Sequence, residues 1–393
     1  MKNTWRYFHQ YAWFILWLGV VAMIGFVQHH VLKATKQQQP VFKACQPTTN
    51  VMFLKTHKTA SSTILNILFR FSEKHNLTAA LPNGNGFHLG YPQLFRATFV
   101  EEFKSIGRNF NVMCNHLRFN AQEVRRVMPN DTFYFSILRD PATWLESSYV
   151  YYKDVTPAFR NSKNVNDFLA SPWSYYNLTE KNWNIYAKNQ MWFDLGYDNN
   201  AVYDEYYVQS VIQDVEQNFH LMLIADYFDE SMILLKDTLC WDLDDVVYFK
   251  LNARSQSTVQ TMSPESKEKT KEWCTLDWEL YKHFNNTFWI KIQERMDLKT
   301  LYKEVERLQK RQKELMEMCL SEETAVEGNK VKDKRLKPFQ SGTAKILGYN
   351  LKPDLVNETL TSCKKMIVPE LQYMAYMYSR QFPDKNKKPI DFK

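Results

Sequence analysis

Residues 50–74 read NVMFLKTHKTASSTILNILFRFSEK, and two hydrophobic periods meet inside them. Val51, Met52, Phe53 and Leu54 form an apolar run with β-branched and aromatic character, too short for a buried helix and the right length for a core strand. A polar run from Lys55 to Thr63 interrupts it. Beyond that, Ile64, Leu65, Ile67, Leu68 and Phe71 recur at three- and four-residue spacing, which puts them on one face of an amphipathic helix. The stretch therefore predicts strand, loop, helix. A loop that opens a helix offers unpaired backbone N–H groups and the positive end of the helix dipole, and this one adds Lys58 and the hydroxyls of Thr59, Ser61, Ser62 and Thr63. These are the parts of an anion cradle, although an ordinary capped helix after a strand also carries Ser and Thr. No glycine falls between Gly25 and Gly84, so the GxxxxGK[ST] loop of nucleoside triphosphate hydrolases is missing.

Working outward, the same alternation repeats. Residues 111–115, NVMCN, read as a short core strand followed at once by His116, with Arg118 close by. Phe133 to Leu138 form a third strand, closed by Arg139 and Asp140; Pro141 stops the ladder and can open a helix that would carry Ser147 and Tyr149. Residues 221–225, LMLIA, are a fourth, followed by Asp226 and a helix with Met232, Ile233 and Leu235. Strands alternating with helices imply an α/β fold with a largely parallel sheet flanked by helices. Such sheets place their chemistry at strand ends.

Between these elements the signals are weaker. The glycine- and asparagine-rich PNGNGFHLGY, residues 82–91, is a surface loop; its His88 is either solvated or able to approach a substrate. Asp242 and Asp244 of the DLDD run form an Asp-x-Asp that could hold a divalent cation against a nucleotide sugar, or a solvated turn. From Leu298, the residues Leu301, Val305, Leu308, Leu315 and Cys319 mark a long helix that packs on its own domain rather than in a coiled coil, since Gln312 breaks the seam. The basic stretch 328–338, GNKVKDKRLKP, is a solvated loop, and ELQYMAYMYSRQF a final helix on the core.

With 393 residues the chain can bury a sizeable core, and one catalytic domain is expected. Its formal charge of +7 is spread along the chain, a bias toward anionic ligands without the clustered basic face that nucleic acid needs. Residues 11–27, YAWFILWLGVVAMIGFV, carry no charge and can just span a bilayer. No A-x-A-like site follows, and Trp and Tyr suit interfacial anchoring, so an uncleaved anchor is preferred to a signal peptide. Residues 1–10 then form a tail, 28–49 an aperiodic stem, and 50–393 the functional domain. Sequons at Asn76, Asn130, Asn177, Asn285 and Asn357, and six cysteines able to pair, suit a lumenal, oxidising compartment. None of the cysteines forms a C-x-x-C pair, which argues against zinc.

The stretch from Lys55 to Thr63 resembles the loop by which sulfotransferases hold the 5′-phosphosulfate of 3′-phosphoadenosine 5′-phosphosulfate. FYFSILRDP, residues 133–141, followed by ESSY, residues 146–149, resembles the partner motif for the 3′-phosphate, an Arg ending a strand with a Ser eight residues on; Arg139 and Ser147 keep that spacing. Together with MCNHLRFN, NQMWFDLGYD, ILGYNL and VPELQYMA, they make the chain similar to the galactose-3-O-sulfotransferases from about Asn50 to near the C-terminus. The resemblance implies a sulfotransferase-type P-loop-like fold behind one N-terminal transmembrane helix, a Golgi location with type II topology, and transfer to the 3-hydroxyl of terminal β-galactose on glycans. The regiochemistry comes from the resemblance alone.

In that setting Lys58 would donate to the bridging oxygen as negative charge builds on the leaving phosphate, a role suited to a permanently charged group. Backbone N–H groups from Thr59 through Ala60 to Thr63, with the Ser61 and Ser62 hydroxyls, would hold the 5′-phosphate; Arg139 and Ser147 would hold the 3′-phosphate. A sugar hydroxyl needs a base, and His116, placed much like the catalytic His of uronyl 2-O-sulfotransferases, is the first choice, with His57 the alternative. Arg118 would orient the acceptor or His116, and His88 is a further acceptor contact. No metal is required. Cytosolic sulfotransferases have glycine where this loop has Ala60, whereas Golgi carbohydrate sulfotransferases tolerate alanine. The competing readings are a glycosyltransferase using Asp242 and Asp244 for manganese, and a membrane-tethered glycan-binding protein without turnover.

Overall fold

Four parallel strands build the central sheet: β1 (Val51–Leu54), β2 (Val112–Met113), β3 (Phe133–Leu138) and β4 (Leu221–Ile224), in the order β2-β1-β3-β4. The computed structural model describes Met23, residues 45–104 and residues 109–385. All four residues of β1 are fully buried, as expected of a parallel strand covered on both faces. Its register pairs Val51 with Val112 on one side and Val51 to Leu54 with Phe133 to Ser136 on the other. From β1 the chain runs to β2 on one flank, then crosses to the opposite flank for β3 and β4. The order therefore reverses between β1 and β3, and the crevice beyond their carboxyl ends is where a sheet of this kind binds its ligand.

The helices that matter for the site are α1 (Ser61–Lys74), α2 (Pro141–Tyr152), α3 (Gln190–Asp194), α4 (Phe228–Leu239), α5 (Thr275–Arg295), α6 (Leu298–Cys319), α7 (Asn357–Ile367) and α8 (Glu370–Gln381). The expected stripe of α1, from Ile64 to Phe71, is buried. Asp140 caps α2 by accepting from the Ala142 and Thr143 N–H groups, with Pro141 at the first helical position. Residues Leu301, Val305 and Leu308 of α6 are buried, and Lys236 of α4 bonds Glu304 of α6 at 3.0 Å, so the long helix packs within its own domain. On α8, Tyr373, Met374, Met377 and Tyr378 are buried, and the Glu73 carboxylate of α1 accepts from Tyr373 Oη at 2.6 Å and Lys365 Nζ at 3.0 Å. α8 is thereby locked over α1.

Local differences have local causes. Only Val112 and Met113 of the expected strand 111–115 pair with β1, because the chain turns toward the site at Asn115. Ala225 closes β4 and starts a 3₁₀ turn over Ala225–Tyr227. Cys319 and Cys363 form a disulfide between α6 and α7, while Cys114 and Cys274 are free and buried, so not all six cysteines pair. Asn76, Asn130, Asn177 and Asn357 are exposed; Asn285 lies mid-helix on α5, half-buried, with its Oδ1 buried and unpartnered. The expected anchor at 11–27 lies outside the described residues except for Met23, and among the described residues no helix is long and apolar enough to cross a membrane.

Candidate active site

A cavity of about 770 Å³ opens at the switch point, within the usual size for a small-molecule site. The loop after β1, Arg139 after β3 and Ser147 on α2 line it. The two loops are tied together, since Thr56 Oγ1 donates to Ile137 O at 2.6 Å and Arg139 Nη1 donates to Lys58 O at 3.0 Å. Trp144 Nε1 of α2 donates to His57 O at 2.9 Å and fixes the loop from below.

The loop takes its shape from hydroxyls rather than glycine. Lys58 and Ala60 both stand in the left-handed region, with φ of 58° and 62°, a conformation that costs an L-residue about 1–2 kcal/mol. Opposing that cost, Ser61 Oγ donates to Thr56 O at 2.6 Å and Thr59 Oγ1 to the same carbonyl at 3.2 Å. Ser62 Oγ donates to Glu370 Oε2 at 2.6 Å, and Thr63 Oγ1 accepts from Leu251 N at 3.2 Å. The hydroxyls expected to grip a phosphate are thus engaged with the protein. What remains for an anion is backbone: among the described residues, the N–H groups of Lys58, Thr59 and Ala60 make no hydrogen bond. Ser147, buried yet lining the cavity, also has a hydroxyl without a partner among the described residues.

Cations surround this anion-seeking backbone. Lys58 Nζ sits 3.5 Å from the Tyr151 ring centroid. Burial, then the neighbouring Arg254, Arg139 and Lys55 charges, hold its pKa well below the usual lysine value. A bound anion beside it would act in the opposite direction and favour its charged form. Lys250 and Arg254 also face the cavity; the sequence did not single them out. The guanidinium of Arg254 is oriented by Glu146, its Nη1 donating to Oε1 at 3.1 Å.

The other wall holds three histidines. His57 and His116 stack with ring centroids 3.9 Å apart and planes at 12°, and His88 meets His116 edge-on at 5.5 Å. Their hydrogen bonds differ. The carbonyl of Lys55 can only accept, so His116 Nδ1, 2.8 Å away, carries the proton; its Nε2 faces Lys55 Nζ at 2.7 Å and is the acceptor of that bond. His57 Nδ1 instead faces the Asp194 carboxylate at 2.9 and 3.1 Å, and the same carboxylate accepts from His57 N at 2.9 Å and Tyr91 Oη at 3.0 Å. Gln190 Nε2 also stands 3.3 Å from Nδ1, but the closer, acceptor-only carboxylate puts the proton on Nδ1 and leaves Nε2 as a lone pair with no donor among the described residues. Burial, with His57 and Lys55 beside it, drives His116 well below the ordinary imidazole range and His88 to about 4, so both are neutral near neutrality.

Other expected residues lie elsewhere. Arg118 does not line the cavity; its Nη2 donates to Gly196 O at 3.1 Å and Tyr197 O at 2.8 Å, holding the turn after α3. His88, rather than being solvated, lines the cavity. Asp242 forms a capping box with Asp245, and Asp244 pairs with Arg311 at 2.8 Å. Neither aspartate faces the cavity. Asp194 and Glu370 were missed as functional residues although they sit inside NQMWFD and VPEL; nothing in their local spacing marks them.

A parallel sheet whose switch point carries a cationic loop of free N–H groups, with an oriented imidazole lining the same cavity, defines a group-transfer site for an anionic donor. Residues 13–381 match the family described as Galactose-3-O-sulfotransferase. The chain is 54% identical over 392 residues to mouse galactose-3-O-sulfotransferase 2, covering 98% of each, and 51% identical over 391 residues to the human protein of that name, covering 98% of this chain and 97% of the other. Human galactosylceramide sulfotransferase is 42% identical over 334 residues, 84% of this chain and 78% of that protein. This chain belongs to the galactose-3-O-sulfotransferase family.

Proposed function

We propose that this protein transfers a sulfuryl group from 3′-phosphoadenosine 5′-phosphosulfate to the 3-hydroxyl of a terminal β-galactose on a glycan. The observation that carries this reading is that one cavity is lined both by the Lys58 loop with its free N–H groups and by His57, whose Nε2 has no partner among the described residues. Sulfuryl transfer moves a neutral SO₃ equivalent from a phosphate oxygen to a hydroxyl, so it needs charge stabilisation at one end and a base at the other. Lys58 and the N–H groups of Thr59 and Ala60 stabilise the leaving phosphate. Arg139 and Ser147, with Arg254 beside them, hold the second phosphate that distinguishes this donor from ATP.

Two histidines compete for the base, and their hydrogen bonds favour His57. Its Nε2 is free and its Nδ1–H is held by Asp194, an arrangement that fixes the tautomer and stabilises the imidazolium formed on taking a proton. Nε2 of His116 is occupied by Lys55, which makes His116 the residue that holds Lys55 in place.

The protein is proposed to sit in the Golgi membrane as a single-pass type II protein, with residues 1–10 cytoplasmic, 11–27 the anchor, 28–49 the stem and 50–393 lumenal. Four exposed sequons and the Cys319–Cys363 disulfide support the lumenal side. The higher identity with the proteins named galactose-3-O-sulfotransferase 2 than with galactosylceramide sulfotransferase favours glycan β-galactosides over ceramide-linked galactose as acceptors.

The test is a sulfate-transfer assay with full-length protein in detergent, labelled donor and a β-galactoside, with and without EDTA. Transfer that survives EDTA and yields the 3-sulfate is the expected result. Absence of transfer, with nucleotide-sugar turnover on adding manganese, would replace this reading by the glycosyltransferase.

A further inference from the structure

The cavity wall facing the loop comes from the start of α8, where Pro369, Glu370, Leu371 and Gln372 line it. Only two carboxylates line the cavity among the described residues, Asp226 and Glu370, against the cations Lys55, Lys58, Arg139, Lys250 and Arg254. Asp226 is engaged with backbone, accepting from Asp140 N at 2.8 Å. Glu370 is held differently. Its Oε2 accepts from both Ser62 Oγ at 2.6 Å and Lys55 Nζ at 3.1 Å, while its Oε1 has no hydrogen-bond partner among the described residues. Burial pushes this carboxyl up, but Lys55 and the Ser62 hydroxyl outweigh burial and hold it below the usual range, so it is ionised. Its place at the first residue of α8 adds the favourable end of that helix dipole.

A fixed negative charge at the rim of a site for a polyanionic donor works against that donor. Galactose, by contrast, is neutral and presents hydroxyl donors, for which an ionised carboxylate is the strongest common acceptor. Glu370 is also joined to the base by short links: Lys55 bonds both Glu370 and His116 Nε2, and the His116 ring lies on that of His57. Resting on the function proposed above, we propose that Glu370 Oε1 accepts a hydrogen bond from one of the two galactose hydroxyls flanking the one that is sulfated, which makes Glu370 a specificity-determining residue for the acceptor. The bound Oε2 aims the carboxylate and the free Oε1 reads the sugar.

The experiment compares wild-type protein and Glu370→Gln with a methyl β-galactoside, its 2-deoxy analogue and its 4-deoxy analogue, and measures 3′,5′-ADP binding to both proteins. In the wild type, one deoxy analogue loses about 10- to 100-fold in kcat/KM, the scale of a charge-assisted hydrogen bond. In Glu370→Gln the parent acceptor loses a similar factor, mostly in acceptor KM, and the penalty for that same deoxy analogue shrinks to within about 3-fold. Nucleotide affinity stays within about 3-fold or tightens. Equal deoxy penalties in the two proteins, or acceptor and nucleotide affinities falling together, would overturn the proposal. Should Glu370→Gln fail to fold, as shown by the absence of a cooperative melting transition, Glu370→Asp, which keeps the charge but withdraws it by one methylene, carries the same comparison. A wild type that sulfates no galactoside at all would instead sink the proposed function itself.

Discussion

The two walls of the cavity are built in opposite ways. The donor side comes from two contiguous strand–loop–helix units, residues 51–74 and 133–152. The base, His57, comes from the first of these same units, but the groups that orient that side are gathered from the far reaches of the chain: Asp194 meets His57 across 137 residues, and Glu370 meets Ser62 across 308. His57 and Lys58 are neighbours in sequence, yet one packs into the histidine stack and the other lies over Tyr151. An anion cradle is a property of backbone at a helix start, so a few adjacent residues suffice to make one. A poised base is a property of what the imidazole's two nitrogens touch, and those partners can come from anywhere.

The sharpest break between the walls is to remove one member of each. Lys58→Ala is expected to lower kcat by at least about 10³-fold, since charge developing on the leaving phosphate in a water-poor cavity loses its cation. His57→Ala is expected to lower it by about 10²- to 10⁴-fold, the usual span for a general base. His116→Ala, by loosening Lys55 alone, costs about 10-fold. Steady-state kinetics with 3′,5′-ADP binding as the control for folding reads all three. If His116→Ala proved as damaging as His57→Ala, with nucleotide binding intact, the base role would return to His116.

This contrast also explains what the sequence could and could not disclose. The short apolar run of β1 and the stripe of α1 are written in adjacent residues, and Lys58, Arg139 and Ser147 follow from where strands end. The hydroxyls of Thr59, Ser61 and Ser62 were legible as cradle residues, but their own partners were not; a loop without glycine uses them to hold its shape. Arg118 illustrates the limit from the other side. It follows β2 closely and so looks like a site residue, yet the carbonyls ending the α3 turn are its partners. Asp194 follows Trp192 and Phe193 at the end of a short helix, where an acid in sequence looks like any other.

A smaller effect tests the orienting bond. Asp194→Asn keeps the size of the side chain but replaces an acceptor-only group by one that can also donate, which permits the wrong His57 tautomer. About a 10²-fold fall in kcat is expected, with nucleotide affinity within about 3-fold of wild type. A parallel loss of nucleotide binding would mean that Asp194 serves the loop through His57 N rather than the base through Nδ1.

The lowered pKa of Lys58 gives a pH signature confined to the donor wall. Its pKa is lowered by burial and neighbouring cations, so the free enzyme loses this cation as pH rises through a value below that of an ordinary lysine. A bound polyanion raises the pKa again. The alkaline limb of kcat/KM for the donor, which reports free enzyme, is therefore expected at lower pH than the alkaline limb of kcat, which reports the complex. Coincident limbs would show that Lys58 stays charged without its anion.

The finest comparison concerns the loop itself, and Ala60→Gly addresses it. At φ 62° an alanine carries a steric cost of about 1–2 kcal/mol that glycine avoids, while glycine loses about 0.5–1 kcal/mol more in backbone entropy on folding. The two nearly cancel, and a rise in Tm of at most a few degrees is expected. Activity is the more telling readout. Since Ser61 and Thr59 pin the loop to Thr56 O, the extra freedom of a glycine at 60 finds the shape already held, and kcat is expected within about 2-fold of wild type. The double variant Ala60→Gly with Ser61→Ala removes one of those pins. If its loss of nucleotide affinity exceeds the product of the two single losses, the hydroxyls do the work in this loop that glycine does in others; strict additivity would mean that α1 alone holds the cradle.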